Sequence, residues 1–484
     1  MISQAAMDEL SDRSSYASAA QRRVATALAR ACMAGEASPP AMRARAERVL
    51  GHPTPWLVPL ALHLHFECAP PAGEVWHPRQ HDQVVAAILA FPAFLAAFEQ
   101  PEGAPGVRAY YPFHQPMGHP PEPLAGLLLP SLATIGDLAD WLEMTPSLLD
   151  WYADAAAWSV RSRVEKRDHY HSRWVAKAAG GARLIEAPKE NLRFIQRRIL
   201  REILNRVPVH EAAQGCVRGR SVVDNARRHL GSALLLKLDL RDFFVGISGA
   251  RVHALFRTLG YPRETARYLT GLTTRCSPAW LLRQVPQEAY PSPEERCRRR
   301  DWARQFMGRH LPQGAPTSPA LANLCAYRLD LRLAGAAREC QAGYSRYVDD
   351  LVFSCADGDL ARGRRIVSMV QEIILEEGFS PNWRKTRLAP ACASQRITGL
   401  VVNERLNLPR TEYDRLKAIL TNCRRHGPAS QNHRGVPDFG AHLQGRLSWF
   451  RQVNPERGAR LQALFDAVPW EHDRPDDSVP GLAR

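Results

Sequence analysis

Apolar positions along the chain change their spacing near residue 161, and the change separates a helical first part from a mixed second part. Up to about residue 100 they recur at helical intervals, with Val24, Leu28 and Ala31 set against Arg22, Arg23 and Arg30, which predicts several short helices. Val84 to Phe98 is strongly apolar. It is shorter than the about 20 residues of a membrane span and is broken by Pro92, so it predicts a buried helix pair. Pro and Gly are frequent from Pro101 to Pro130, which reads as a linker or a loop wrapping another domain, with a boundary near residue 125. Asp137 to Tyr152 reads as two short amphipathic helices, the second started by Pro146, that serve packing rather than DNA reading.

Beyond Arg161 the pattern is one of short strands between basic helices. Trp174 to Ile185, broken by Gly180-Gly181, predicts a hairpin. Pro188 to Val207 puts Leu192, Ile195, Ile199 and Ile203 on one helical face, with Arg193, Arg197, Arg198 and Arg201 largely outside it. Leu234 to Leu240 predicts a buried strand that carries Asp239 near its end. Residues 276 to 310, with the run Arg298-Arg299-Arg300, read as an insertion between core elements. After Arg410 a helical region interleaves Leu416, Leu420, Leu443, Leu447, Trp449 and Phe450 with Arg415, Lys417, Arg424, Arg425, Arg446 and Arg451, and a polar tail is expected from Glu471.

Length, 484 residues, allows about three domains, and 45% apolar with 23% charged residues is ordinary globular composition, which excludes wholesale disorder. Charge changes the picture. Lys and Arg number 64 against 49 Asp and Glu, so the net charge of +15 favours a polyanionic partner such as nucleic acid. An acidic start (Asp8, Glu9, Asp12) without an apolar segment predicts neither a signal peptide nor a transit peptide, and the expected location is the cytoplasm, with no membrane partner. The ten cysteines form no Cys-x-x-Cys pair and read as reduced, mostly buried thiols.

The candidate chemistry begins at Tyr347-Val348-Asp349-Asp350, a turn between two β-prone runs that holds adjacent carboxylates. Like charges at a hairpin tip repel, and a hard dication with oxygen ligands relieves the repulsion. A second carboxylate, Asp239 in Lys237-Leu238-Asp239-Leu240-Arg241-Asp242-Phe243-Phe244, follows an apolar run and is costly to bury alone. Brought beside Asp349 by sheet pairing, it completes a clamp for two magnesium ions about 3.5 to 4 Å apart, the arrangement that activates a hydroxyl and stabilises a leaving pyrophosphate. A third element, Leu311-Pro312-Gln313-Gly314-Ala315-Pro316-Thr317-Ser318-Pro319, is a Pro- and Gly-fixed loop before a helix.

With these three elements in this order, the chain resembles a reverse transcriptase of the bacterial retron type. Asp239 stands where the family's motif A has its first metal aspartate, Leu311 to Pro319 matches motif B, and Tyr347 to Asp350 matches the Tyr-x-Asp-Asp of motif C. Lys177 and Arg183 match the fingers residues that hold the incoming triphosphate, and Asn382 to Thr386, with Lys385, matches motif D. Asn225-Ala226-Arg227-Arg228-His229 matches the retron Asn-Ala-x-x-His, and Ile397 to Asn403 its Val-Thr-Gly segment. Departures are Val348 for the usual Ala, Val245 for Pro, Gln214-Gly215-Cys216 for His-Gly-Phe, and Ile397 for Val; none removes a carboxylate or a phosphate-binding cation.

The resemblance, which covers about residues 135 to 470, implies an α+β right-hand polymerase with fingers, a palm with an antiparallel sheet and a helical thumb, preceded by a helical N-terminal extension. The expected division is residues 1–125 (extension and Pro-rich linker), 126–400 (fingers and palm) and 401–484 (thumb and tail). It implies magnesium-dependent, RNA-directed DNA synthesis from dNTPs, with Asp239, Asp349 and Asp350 as metal-binding catalytic residues. Lys177, Arg183, Phe244, Gln313 and Lys385 are expected at the nucleotide, Phe244 as a steric gate against the ribose 2′-hydroxyl, pointing opposite to Phe243 by strand alternation. Asn225, His229 and Arg446 are expected at the RNA, although Asn225 and His229 equally suit hydrogen bonds inside the protein. Asp242 reads as structural. The implied partners are a structured non-coding RNA that acts as template and primer, its branched RNA-DNA product, and a defence effector protein. Two alternatives remain at this level: another bacterial reverse transcriptase of group II intron or defence-associated type, and a non-catalytic RNA-binding scaffold.

Overall fold

The helical spacing of the first hundred residues closes on its own core. In the computed structural model, which describes residues 17–34, 36–71, 76–99, 104–110, 117–122, 124–154, 168–176, 182–286 and 303–470, helices Ala19–Cys32, Pro39–Leu50, Leu57–Glu67 and His81–Ala90 bury Val24, Leu28, Met42, Leu50, Leu60, Leu64 and Ile88 together. Ser18 starts the first of these with a reciprocal capping box to Gln21, and Gly51, at φ +78°, ends the second. The apolar run around Pro92 is a pair of helices, His81–Ala90 and Pro92–Ala96. No helix of the described residues is long and apolar enough to cross a membrane.

Contacts divide the chain into two units, Met1–Pro208 with Phe244–Cys325, and Val209–Phe243 with Ala326–Arg484, so the boundary expected near residue 125 lies inside the first. Within that unit the Pro-rich stretch touches the chain at Gly260: the Gly118 amide donates to the Gly260 carbonyl over 2.7 Å, and a Cβ on Gly260 would stand 2.3 Å from the Gly118 oxygen. The two predicted short helices are Ile135–Trp141 and Pro146–Ala153, capped by Thr134 and Thr145. Strands β1 (Tyr170–Ala176) and β2 (Ala182–Pro188) pair antiparallel as the expected hairpin; its turn, with Lys177, lies outside the described residues. Helix Glu190–Glu202 follows, burying Leu192, Ile195 and Ile199. The ends of the expected insertion meet, since Arg275 and His310 form an antiparallel bridge; Arg298 to Arg300 lie outside the described residues.

The second unit is built on a four-stranded antiparallel sheet of order β4-β5-β3-β6, where β3 is Leu234–Asp239, β4 Ala342–Tyr347, β5 Asp350–Cys355 and β6 Arg387–Pro390. β3 is central and buried except at Lys237, which accounts for its leucine-rich run. Helix Leu360–Glu376 lies on it closely enough that a Cβ on Gly363 would meet Leu234 at 2.7 Å. A short hairpin, β7 (Arg396–Ile397) with β8 (Leu400–Val401), precedes helices Arg410–His426, Phe439–Val453 and Pro455–Asp466, which share a core of Leu416, Leu420, Leu443, Leu447, Phe450 and Leu461. Residues from Glu471 lie outside the described ones.

One local expectation is corrected. Strand alternation does not relate Phe243 and Phe244, because β3 ends at Asp239 and Asp242 turns the chain at φ +50°, so that Phe243–Gly246 is a helical turn. Phe243 is buried, its ring 5.6 Å from that of Phe379, while Phe244 is half-buried. The nine cysteines among the described residues are free as expected, but Cys216 and Cys392 are exposed.

Candidate active site

Antiparallel pairing of β3 with β5 sets Asp239 directly opposite Asp350. Pairing of β4 with β5 closes at Tyr347 opposite Asp350, which leaves Val348 and Asp349 as a two-residue turn. The Leu240 amide donates to the Asp349 carbonyl over 2.8 Å. Sheet register thus brings Asp239 to the adjacent pair Asp349 and Asp350, more than a hundred residues further along the chain.

Their charge is answered by two lysines. Lys385 Nζ is 2.8 Å from Asp239 Oδ2, the Asn382 side-chain amide donates to Asp239 Oδ1 over 2.8 Å, and the Asn382 backbone amide to the Asp239 carbonyl over 2.7 Å. Lys237 Nζ is 3.1 Å from Asp350 Oδ2. Burial, and then the charges of Asp239 and Asp350, push the Asp349 carboxyl above the usual carboxylate range. Burial works against the Lys385 ammonium, yet the hydrogen bond to Asp239 and the charges of the three aspartates carry its pKa upward. Carboxylate oxygens are the donor type that a hard divalent cation takes, and here lysines stand as their counter-ions; among the described residues no group of three or more His, Cys, Asp or Glu side chains is arranged to hold a metal ion.

The turn is held from beneath. Arg346, fully buried, makes a fork to Asp330 (2.8 and 2.6 Å) and donates to the Val348 carbonyl over 3.0 Å, and its own backbone is bound to Ala212 and Gln214. Val348 sits at φ +59°, a conformation costly for a β-branched residue. Gly215 packs on it so closely that a Cβ would stand 2.7 Å from the Val348 nitrogen.

Asn225 and His229 are both buried. The His229 ring bridges β4 and β5, Nε2 to Ser345 Oγ at 2.7 Å and Nδ1 to Ser354 Oγ at 2.8 Å, and burial lowers its pKa to about 4. With both ring nitrogens occupied inside the protein, the expected RNA contact is replaced for His229 by the internal alternative. Arg446 joins helices Phe439–Val453 and Arg410–His426 through Glu412, 3.4 Å away.

Arg183, Gln313 and Phe244 belong to the first unit. Arg183 is exposed on β2. The Gln313 carbonyl accepts from the Glu186 amide of the same strand over 2.7 Å, and Gly314, at φ +130°, lets the loop approach to where a Cβ would be 3.1 Å from the Glu186 oxygen. Glu186 is buried with His310 (2.9 Å), Ser277 (2.5 Å) and Arg275 (3.0 Å), and Arg275 also reaches Asp168. Burial opposes ionisation of Glu186, but His310, Arg275 and Ser277 hold its pKa below the usual range.

Sequence reasoning did not single out Lys237 as a partner of Asp350, nor Arg346, Asp330 and Glu186. A signal existed for two of them: Arg346 interrupts a β-prone run, and Asp330 stands between Leu329 and Leu333 on a buried helix face.

Residues 165–402 match the family described as reverse transcriptase (RNA-dependent DNA polymerase). The retron Mx65 reverse transcriptase of Myxococcus xanthus is 37% identical over 338 residues, covering 70% of this chain and 72% of that protein. The retron Mx162 reverse transcriptase of the same organism is 32% identical over 67% of this chain and 65% of that protein, and the retron Ec86 enzyme of Escherichia coli is 29% identical over 58% and 74%. A family match across the whole carboxylate sheet, together with relatives of this identity and coverage, places the fold among right-hand polymerases, and the chain belongs to the retron-type reverse transcriptases, RNA-directed DNA polymerases.

Proposed function

We propose that this enzyme extends a primer with dNTPs on a structured non-coding RNA, using two magnesium ions held by Asp239, Asp349 and Asp350. The observation that carries the reading is the convergence of those three carboxylates at one end of β3 and β5. The ions supply activation of the attacking hydroxyl and neutralisation of the phosphoryl oxygens. Asp239 is oriented for that task by Asn382 and Lys385, and Lys385 is the cation placed to turn toward a triphosphate. Arg183, exposed on β2, and Gln313, tied to the same strand, form the nucleotide-binding part of the first unit together with Lys177. In this reading the antiparallel sheet is the palm, the β1–β2 hairpin belongs to the fingers, and the helices after Arg410 are the thumb. The separate core of residues 24–107 supports a distinct helical extension.

His229 serves the polymerase from inside, as a brace of the strands that flank the aspartates, whereas the side-chain amide of the buried Asn225 makes no hydrogen bond among the described residues. Arg446 and the exposed cations of its helix pair, Arg415, Arg424 and Arg425 among them, follow the phosphates of the RNA. The product in this reading is a branched RNA-DNA primed from a 2′-hydroxyl, made in a phage-defence system with an effector partner.

The deciding experiment is purification of the full chain with its associated nucleic acid, followed by a test for a covalent RNA-DNA branch in the wild type and in Asp349→Asn. A branch in the wild type only supports the reading, and an inactive wild type with bound RNA supports the scaffold alternative. For the sugar gate, Phe244→Ala raises kcat/KM for GTP relative to dGTP, whereas Phe243→Ala, which empties a buried site, acts mainly on stability, by about 3 kcal/mol or more. An unchanged ratio in Phe244→Ala rejects the gate.

A further inference from the structure

We infer that Arg346 is a positioning residue for DNA synthesis: through its hydrogen bond to the Val348 carbonyl it holds the strained turn that presents Asp349. The inference rests on the role of Asp349 proposed above.

Three observations carry it. The turn has only two residues, and the first, Val348, is β-branched at φ +59°, so local preference alone does not keep the backbone there. Arg346, one residue before the closing Tyr347–Asp350 pair, sends Nη1 to the Val348 carbonyl over 3.0 Å. The rest of the guanidinium is fixed: Nε and Nη2 pair with the two oxygens of Asp330, itself fully buried on helix Tyr327–Glu339 and also accepting from the Tyr344 hydroxyl over 2.9 Å. A planar fork that satisfies a carboxylate on one edge and a carbonyl with its remaining nitrogen is geometry that a lysine ammonium cannot reproduce. Gly215 closes the opposite side, where a Cβ would be 2.7 Å from the Val348 nitrogen. The turn is therefore set by a buried ion pair on one side and bare backbone on the other, and the position of the Asp349 carboxylate follows from both.

A buried ion pair is a costly way to gain stability, since apolar residues of similar volume often stabilise as well or better. That makes the two roles separable. The triple variant Arg346→Met/Asp330→Leu/Tyr344→Phe removes the pair and its third partner together and leaves an apolar core. It is compared with Arg346→Lys and Asp349→Asn as full-length proteins, using dTTP incorporation on oligo(dT)-primed poly(rA) and the melting temperature. The triple variant is expected to melt at or above the wild-type temperature, with kcat reduced about tenfold or more, KM for dTTP within about twofold, and a higher half-saturating Mg2+ concentration. Arg346→Lys is expected to lose at least about fivefold in kcat. Wild-type kcat in a folded triple variant overturns the inference; if that variant does not fold, wild-type kcat in Arg346→Lys overturns it. Asp349→Asn keeps the two claims apart: activity there refutes the role of Asp349 itself, whereas an inactive Asp349→Asn beside a fully active triple variant refutes only the role of Arg346.

Discussion

Two hairpins of the second unit have turns of the same length, each opening on a β-branched residue at positive φ, and different supports. The β7–β8 hairpin closes on Thr398 and Gly399, both at positive φ, the pattern of a type I′ turn with glycine at its second position. The β4–β5 hairpin closes on Val348 and Asp349, with positive φ at Val348 alone, the type II′ pattern whose first position ordinarily takes glycine. In the first, Gly399 takes its positive φ freely at the second position, while Thr398, also β-branched, holds the first at φ +47°. In the second, a disfavoured residue is held by tertiary ties: the Arg346 donor, the Gly215 backbone, and the His229 bridge between the two strands. Strain concentrated where two carboxylates are displayed is what a site needing fixed geometry requires.

The comparison breaks most visibly at the carboxylates. Asp239→Asn or Asp349→Asn lowers incorporation by at least about 1000-fold, the loss of several kcal/mol of charge stabilisation, with an unchanged circular dichroism spectrum. Thr398→Ala, in the other turn, leaves incorporation within about twofold; a comparable loss there would erase the distinction drawn between the hairpins.

The next effect is one of pH. His229 is held near a pKa of about 4 against an ordinary 6.5, so its uncharged form is the one the fold accepts. Its contribution is complete above pH 6.5 and is lost as pH falls from 6.5 toward 4, up to about 3 kcal/mol in all. Urea denaturation at pH 7 and pH 4.5 measures it: the stability gap between wild type and His229→Gln narrows at the lower pH. A constant gap refutes the buried neutral histidine.

A smaller change separates the turns by kind of damage. Gly215→Ala forces a Cβ against the Val348 nitrogen, and kcat falls about tenfold. Gly399→Ala, at φ +88° with open space around it, costs about 1 kcal/mol of stability and spares kcat. Smallest is Val348→Gly, which relieves the strained φ and raises stability by about 0.5 to 1 kcal/mol in denaturant titration.

Much of this was legible in the chain itself. Asp239 at the end of an apolar run, the Tyr347–Asp350 turn and the Leu311–Pro319 loop are contiguous in sequence, and their order was enough to reach the polymerase family. The β1–β2 hairpin, the strand at Leu234 and the helices after Arg410 follow from spacing and turn residues, because those signals are local. Phe243 and Phe244 were misread because a left-handed Asp242 ends the strand early, and one aspartate carries little sign of the φ it adopts.

What the sequence determined by itself was which residues carry charge and which segments form strands and helices, since both depend on neighbours a few positions away. The tertiary structure alone decided which cations face which carboxylates: Lys237 with Asp350, Lys385 with Asp239, and Arg346 with Asp330. It also turned the His229 ring inward to two serines. Such pairings join positions 16 to 146 residues apart, and they depend on sheet register and helix packing, which no local pattern encodes.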